Sequence, residues 1–184
     1  MVYDKRHNSR WLRSVAPAGL AFLLASMAMP SRAQDAWIIG QSAPLSGGNA
    51  AMGRDVRDGA LAYFKSVNAR GGVAGKPIEL VTLDDANDRK TAGANATQLL
   101  AEKKAVALFG FASATLSLDA MPQADKAGTL FFAPLSGADP VRKAPPGSFT
   151  LRAAYGGAME KTLAVLCGLG MKNGDVVHYE DEIG

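Results

Sequence analysis

From Trp37 onward the chain alternates short apolar runs with longer stretches in which apolar residues return every three or four positions. The runs are WIIGQ (37–41), IELVTL (78–83), AVALFG (105–110), TLFFA (129–133) and VVHY (176–179), with FTLR (149–152) as a further extended segment. Several are apolar throughout rather than alternating, which predicts strands buried on both faces. Between them, Val56, Ala60, Tyr63, Phe64 and Val67 share one helical face, and Gly71-Gly72 stands where a left-handed C-cap belongs. A second, alanine-rich helix is predicted over 89–104, closing on Lys103-Lys104 beside its negative end. A third is predicted over 116–127, started late or kinked by Pro122. A fourth places Met159, Leu163 and Leu166 on one stripe. Strand, helix, strand in repetition implies crossovers and a parallel α/β sheet. Ligands of such sheets bind beyond the carboxyl ends of the strands, here SAPLSGG, DDAND, GFASAT and APLSGAD.

The first 33 residues follow a different logic. Lys5, Arg6, Arg10 and Arg13 precede an apolar run from Val15 to Met29, and Ser31-Arg32-Ala33 follows it. That order predicts a secretory signal peptide over 1–33, cleaved after Ala33, and an exported product. The run is shorter than the roughly 20 residues of a membrane span. Removing five basic residues and one acidic residue takes the formal charge from +3 to −1. No basic footprint for nucleic acid remains. Cys167 is the sole cysteine, so no intrachain disulfide forms, and its place on a helical stripe predicts a core residue.

The strand-end loops hold the candidate chemistry. GGNAAMGRD (47–55) comes within two letters of the phosphate-binding pattern G-x-x-x-x-G-K-[ST], but Arg54 and Asp55 replace the lysine and hydroxyl. A ligand-lining loop and a plain turn into the first helix remain the two readings. Asp84-Asp85 lacks the upstream G-x-G-x-x-G of a dinucleotide site, which favours turn and capping roles. Ser113 and Thr115 precede the third helix, where their hydroxyls and free N–H groups suit either N-capping or a carboxylate. Asp139-Pro140 reads as N-cap and N1 of a short helix, with a ligand ammonium as the alternative partner of Asp139. His178 has no G-x-S-x-G elbow to serve and is read as structural. No metal-ligand spacing is present, and no cofactor is expected.

Taken in order, IGQSAPLSG, ALAYFKSVNARGGVAGKPIEL, LDDAND, LFGFASAT, APLSGADPVR, LRAAYG and VVHYEDEIG give the chain a resemblance. It resembles the periplasmic solute-binding proteins of ABC transporters, the leucine/isoleucine/valine-binding family, from about Ile38 to Gly184. The resemblance implies a type I periplasmic binding protein, in which two α/β lobes enclose a ligand in their cleft. Residues 34–150 then form the amino-terminal lobe, and 151–184 form the crossover and first helix and strand of a second lobe that is largely missing.

Carried over residue by residue, the resemblance assigns the ligand's carboxylate to Ser113 and Thr115. It gives the ammonium to the Ala138 carbonyl, with Asp139 as a neighbouring contact. Ser46 to Met52 fall on the first cleft loop, with Met52 where some members carry an aromatic residue, and Tyr155 falls where the second lobe begins. Asn87 and Ala112 occupy the neighbourhood of a disulfide that some relatives have. The implied function is a non-catalytic periplasmic carrier of an amino-acid-like or amide/carboxylate solute, delivering to an ABC permease of the inner membrane. A ligand-sensing receptor domain and an exported hydrolase are the alternatives. With one wall of the cleft absent, weak ligand binding is expected of residues 34–184, and the strand at 176–179 is expected to lack sheet neighbours.

Overall fold

In the computed structural model the described residues are 35–143, 145–178 and 180. The predicted leader, residues 1–33, lies outside them. Five parallel strands form one sheet: β1 (Trp37–Ala43), β2 (Ile78–Asp84), β3 (Ala107–Phe109), β4 (Leu130–Phe132) and β5 (Ser148–Phe149). Their order is β2-β1-β3-β4-β5. The chain steps from β1 outward to β2, then returns past β1 to β3. The direction of winding therefore reverses between β1 and β3, and in sheets of this kind such a switch point forms a crevice at the carboxyl ends.

The helices are α1 (Ala50–Ala69), α2 (Arg89–Ala101), α3 (Ala114–Lys126), α4 (Asp139–Arg142) and α5 (Tyr155–Gly168). Strand alternation sorts the two sheet faces. Leu108 and Phe131 point to one face and meet Leu99, Leu116, Met121 and the alanines 92, 96, 120 and 124 of α2 and α3. That layer is the core, and small alanines let both helices lie close to the strands. Gln41 and Phe109 point to the other face, where α1 packs against β1 and β2. Beyond Phe109 of β3, which meets Phe64 of α1, that face stays open among the described residues over β4 and β5. Phe109 stacks on Phe132 at 6.3 Å between ring centres, and Phe132 and Phe149 are 41% and 53% exposed.

Several boundaries differ from expectation for local reasons. The first helix starts at Ala50, ahead of its apolar stripe, and Tyr63 is exposed rather than packed. Its end is as predicted, with Gly71 left-handed and the Gly72 N–H returning to the Val67 carbonyl at 3.1 Å. The second helix closes at Ala101, ahead of the lysine pair. The third begins at Ala114 because Ser113 caps it, and it runs through Pro122. The extended segment expected over 149–152 is only the short β5. At 176–178 no strand forms, and Tyr179 is outside the described residues. A strand needs a neighbour to bond its backbone groups, and among the described residues no strand pairs with this segment. Helix α5 buries none of its residues, so Cys167 is exposed and not core, while His178 lies exposed in coil.

Candidate functional site

All seven expected site residues lie on one edge of the sheet. Ser46 and Met52 follow β1, Ser113 and Thr115 follow β3, Ala138 and Asp139 follow β4, and Tyr155 follows β5. Parallel strands place every one of these segments at the carboxyl edge. Ser46, Met52 and Asp139 are exposed, whereas Ser113, Thr115 and Tyr155 are half-buried and Ala138 is buried.

Two tied groups of loops flank the β1/β3 crevice. On the β1 side, the Asp84 carboxylate reaches from the end of β2 to the loop after β1. Its Oδ1 accepts the N–H groups of Leu45 (2.8 Å), Ser46 (3.3 Å) and Ala86 (2.8 Å). These bonds, led by one from the Ser46 hydroxyl, hold the carboxyl well below its usual range, at about 2. Arg54 of α1 donates from Nη1 to the Leu45 carbonyl at 2.9 Å, gripping the same residue from the other side. Within the glycine-rich stretch, Gly53 serves packing, while Gly47 and Gly48 have open space where a Cβ would lie. A Cβ on Gly53 would lie 2.0 Å from the Pro44 carbonyl oxygen, so only glycine lets α1 start this close to the β1 end.

Beneath this loop lies a buried polar knot that sequence reasoning missed. Asp85 is fully buried and accepts the Ser42 hydroxyl (2.7 Å) and the Asn87 N–H (2.8 Å). Asn95 of α2 donates to Ser42 Oγ (3.1 Å) and the Asp84 carbonyl (3.0 Å). Burial pushes the Asp85 carboxyl up, against the pull of the Ser42 hydroxyl. Both aspartates make the expected turn bonds, Asp84 to the Ala86 N–H and Asp85 to the Asn87 N–H, and both also tie neighbouring segments together. The hint available in the sequence was an adjacent acid pair at a strand end; Ser42 lies near the end of the neighbouring strand, in register with Leu83. Nothing in it placed Asn95 alongside. Asp88 does cap α2, accepting the Thr91 N–H at 2.8 Å.

On the other side of the crevice, the loops after β3 and β4 are joined by the Leu135 N–H on the Phe111 carbonyl at 2.9 Å. The loop after β4 is joined to α5 by the Tyr155 N–H on the Gly137 carbonyl at 3.1 Å. A Cβ on Gly137 would lie 2.1 Å from the Ala153 carbonyl oxygen, so this contact also needs glycine. Ser113 Oγ accepts the Leu116 N–H at 3.3 Å. Its lone pair serves the helix and its hydroxyl hydrogen is left for an acceptor, so the same residue caps and can donate.

Ala138, not Asp139, is the N-cap of α4, and Asp139 and Pro140 are its first two residues. The Ala138 carbonyl receives the N–H groups of Val141 (3.0 Å) and Arg142 (3.1 Å), so an ammonium there would compete with the helix start. Among the described residues no cluster of three metal-ligating side chains occurs. A groove of about 360 Å³ lies between α5 and residues 171–177, and no strand-end loop lines it.

Comparison with known proteins follows the same geometry. The sequence profile of the family described as periplasmic binding protein matches residues 37–181. An amino acid binding protein of Pseudomonas aeruginosa is 35% identical over 97 residues, which cover 53% of this chain and 26% of that relative. The crystal structure of a possible leucine/isoleucine/valine-binding protein from Rhodopirellula baltica superposes with a TM-score of 0.72 at 29% identity. It covers 78% of this chain and 38% of its own. The branched-chain amino acid transporter substrate-binding protein of Streptococcus pneumoniae, solved with isoleucine, gives a TM-score of 0.59 at 27% identity, covering 65% of this chain and 34% of its own. The chain thus spans well under half the length of the proteins it matches.

Proposed function

The chain belongs to the periplasmic binding protein family, and from that premise we propose that it carries the amino-terminal wall of a solute-binding cleft. The solute is a small α-amino acid or a related carboxylate. The carrier is exported through the leader at 1–33, works in the periplasm and hands its solute to an ABC permease in the inner membrane. It holds its solute and catalyses nothing.

One observation supports this reading most. Two groups of loops flank the β1/β3 crevice, and one of them presents a hydroxyl at the start of α3 with its hydrogen left to donate. Donors of that kind, backed by a helix N-terminus, suit a carboxylate. Ser113 and Thr115 would take that carboxylate. Ser46, Met52 and Tyr155 would line the walls, and Asp139 would sit near the ammonium.

The described residues supply one wall, so solvent reaches the ligand and weakens each polar contact. Calorimetric titration of residues 34–184 with L-isoleucine is expected to give a dissociation constant near or above about 1 mM. Benzoate, a carboxylate without an ammonium, separates the two polar contacts. Micromolar affinity would contradict the one-walled reading, and heat that is unchanged in Ser113→Asn would remove the serine from the site.

A further inference from the structure

We propose that Asp84 is a positioning residue for the binding edge, holding the loop 44–49 as a preformed lip before any solute arrives. The inference rests on the binding role proposed above. Asp84 ends β2 and stands in register with Ala43, the last residue of β1. Its side chain therefore emerges beside the point where the neighbouring strand turns into the lip. A single oxygen, Oδ1, receives three backbone N–H groups, two of them from the lip. These donors would otherwise face solvent, because the lip is irregular and bonds to no strand there. A charged acceptor makes such bonds shorter and stronger than a neutral one.

The grip is two-sided. Asp84 takes the Leu45 N–H while Arg54 binds the Leu45 carbonyl, so one peptide segment is fixed through both of its polar ends. Gly53 seats α1 on Pro44 and closes the third side. Of the residues expected to meet solute, Ser46 is itself held by Asp84 and Met52 follows the lip in the first turn of α1. The Asp84 carboxylate itself is committed to the loop and is not a ligand contact. Its effect on affinity is indirect, through the order of the lip. A loop already held in its bound geometry need not be ordered by the solute, which raises affinity without any new contact.

The test compares Asp84→Ala and Asp84→Asn with the unaltered chain, using amide hydrogen exchange, melting temperature and titration with L-isoleucine. In Asp84→Ala, exchange at Leu45 and Ser46 is expected to rise while Thr91, capped by Asp88, stays as it was. The dissociation constant is expected to rise about tenfold, the usual scale for losing preorganisation of one short loop. Asp84→Asn, which keeps a neutral acceptor at Oδ1, is expected to recover part of both effects. The melting temperature at neutral pH is expected to fall modestly in Asp84→Ala, because the hydrogen-bonded carboxylate contributes stability there. Unchanged exchange at Leu45 and Ser46 in Asp84→Ala overturns the inference. So does a loosened lip with unaltered affinity. A wild-type chain with no measurable response to L-isoleucine refutes the proposed function instead, and exchange at the lip then decides the role of Asp84 by itself.

Discussion

Gly53 shows how a residue without a side chain can decide where a site forms. Any Cβ there meets the Pro44 carbonyl oxygen at 2.0 Å, a backbone atom that cannot swing aside. Gly53→Ala is therefore expected to destabilise by about 1–3 kcal/mol, as overpacking does, and to shift the amide signals of residues 44–49. An unchanged denaturation midpoint would contradict that close approach. Charge acts at the same scale. Asp84, Asp88 and Asp119 all have lowered values, through Ser46 and neighbouring N–H groups, through Thr91, and through Arg89 respectively. A depressed folded pKa stabilises above the unfolded value and loses that contribution as pH falls through the folded one. Stability should decline between pH 3.8 and about 2 on account of Asp84, and Asp84→Asn should flatten that decline in acid denaturation curves. Asp85 works in the opposite sense. Its raised value costs stability at neutral pH, and protonation relieves that cost on the way down.

At the scale of elements, the core should separate sharply from α5. Leu99 is fully buried between α2 and the sheet, so Leu99→Ala is expected to cost about 2–5 kcal/mol. Leu163 is 46% exposed on a helix with no buried residue, and Leu163→Ala is expected to cost less than about 1 kcal/mol. Equal costs measured in urea would show that α5 is packed after all. This contrast also marks what the pattern of residues made legible. Apolar runs revealed β1 to β4, but the expected burial on both faces fails at β4, where only Phe131 is buried and Leu130 and Phe132 stay exposed. The helices followed from spacing, although Ser113 starts the third two residues ahead of expectation and the Asp88 cap of the second was not read in the sequence. Pairing was not written there. Met159, Leu163 and Leu166 form a stripe whether or not a sheet is present to receive it, and VVHY reads as a strand without any neighbour. The strand-end loops were legible as places, while the polar ties within them were not. Asp84, Asn95 and Arg54 act across sequence separations that no local pattern records.

For the whole molecule, the two faces of the sheet are covered unequally. Helices α2 and α3 seal one, whereas α1 covers β1 and β2 on the other and reaches β3 only through Phe64 on Phe109. Leu130, Phe132 and Phe149 remain about half exposed beside Phe109 on β3–β5. Apolar surface of this extent promotes association. Light scattering is expected to rise with protein concentration, and Phe132→Lys with Phe149→Lys to reduce it; scattering that ignores these changes would place the sticky surface elsewhere. The family's profile spans nearly all described elements, yet the chain aligns to only 38% of the Rhodopirellula structure.

The most direct test is to map amide chemical shifts of residues 34–184 during titration with L-isoleucine to millimolar concentration. The predicted result is a set of small, saturating shifts at residues 45–52, 111–116 and 135–139 and at Tyr155, fading in Ser113→Asn. Shifts centred on the groove between α5 and residues 171–177, or none at any strand-end loop, would contradict the placement of the site.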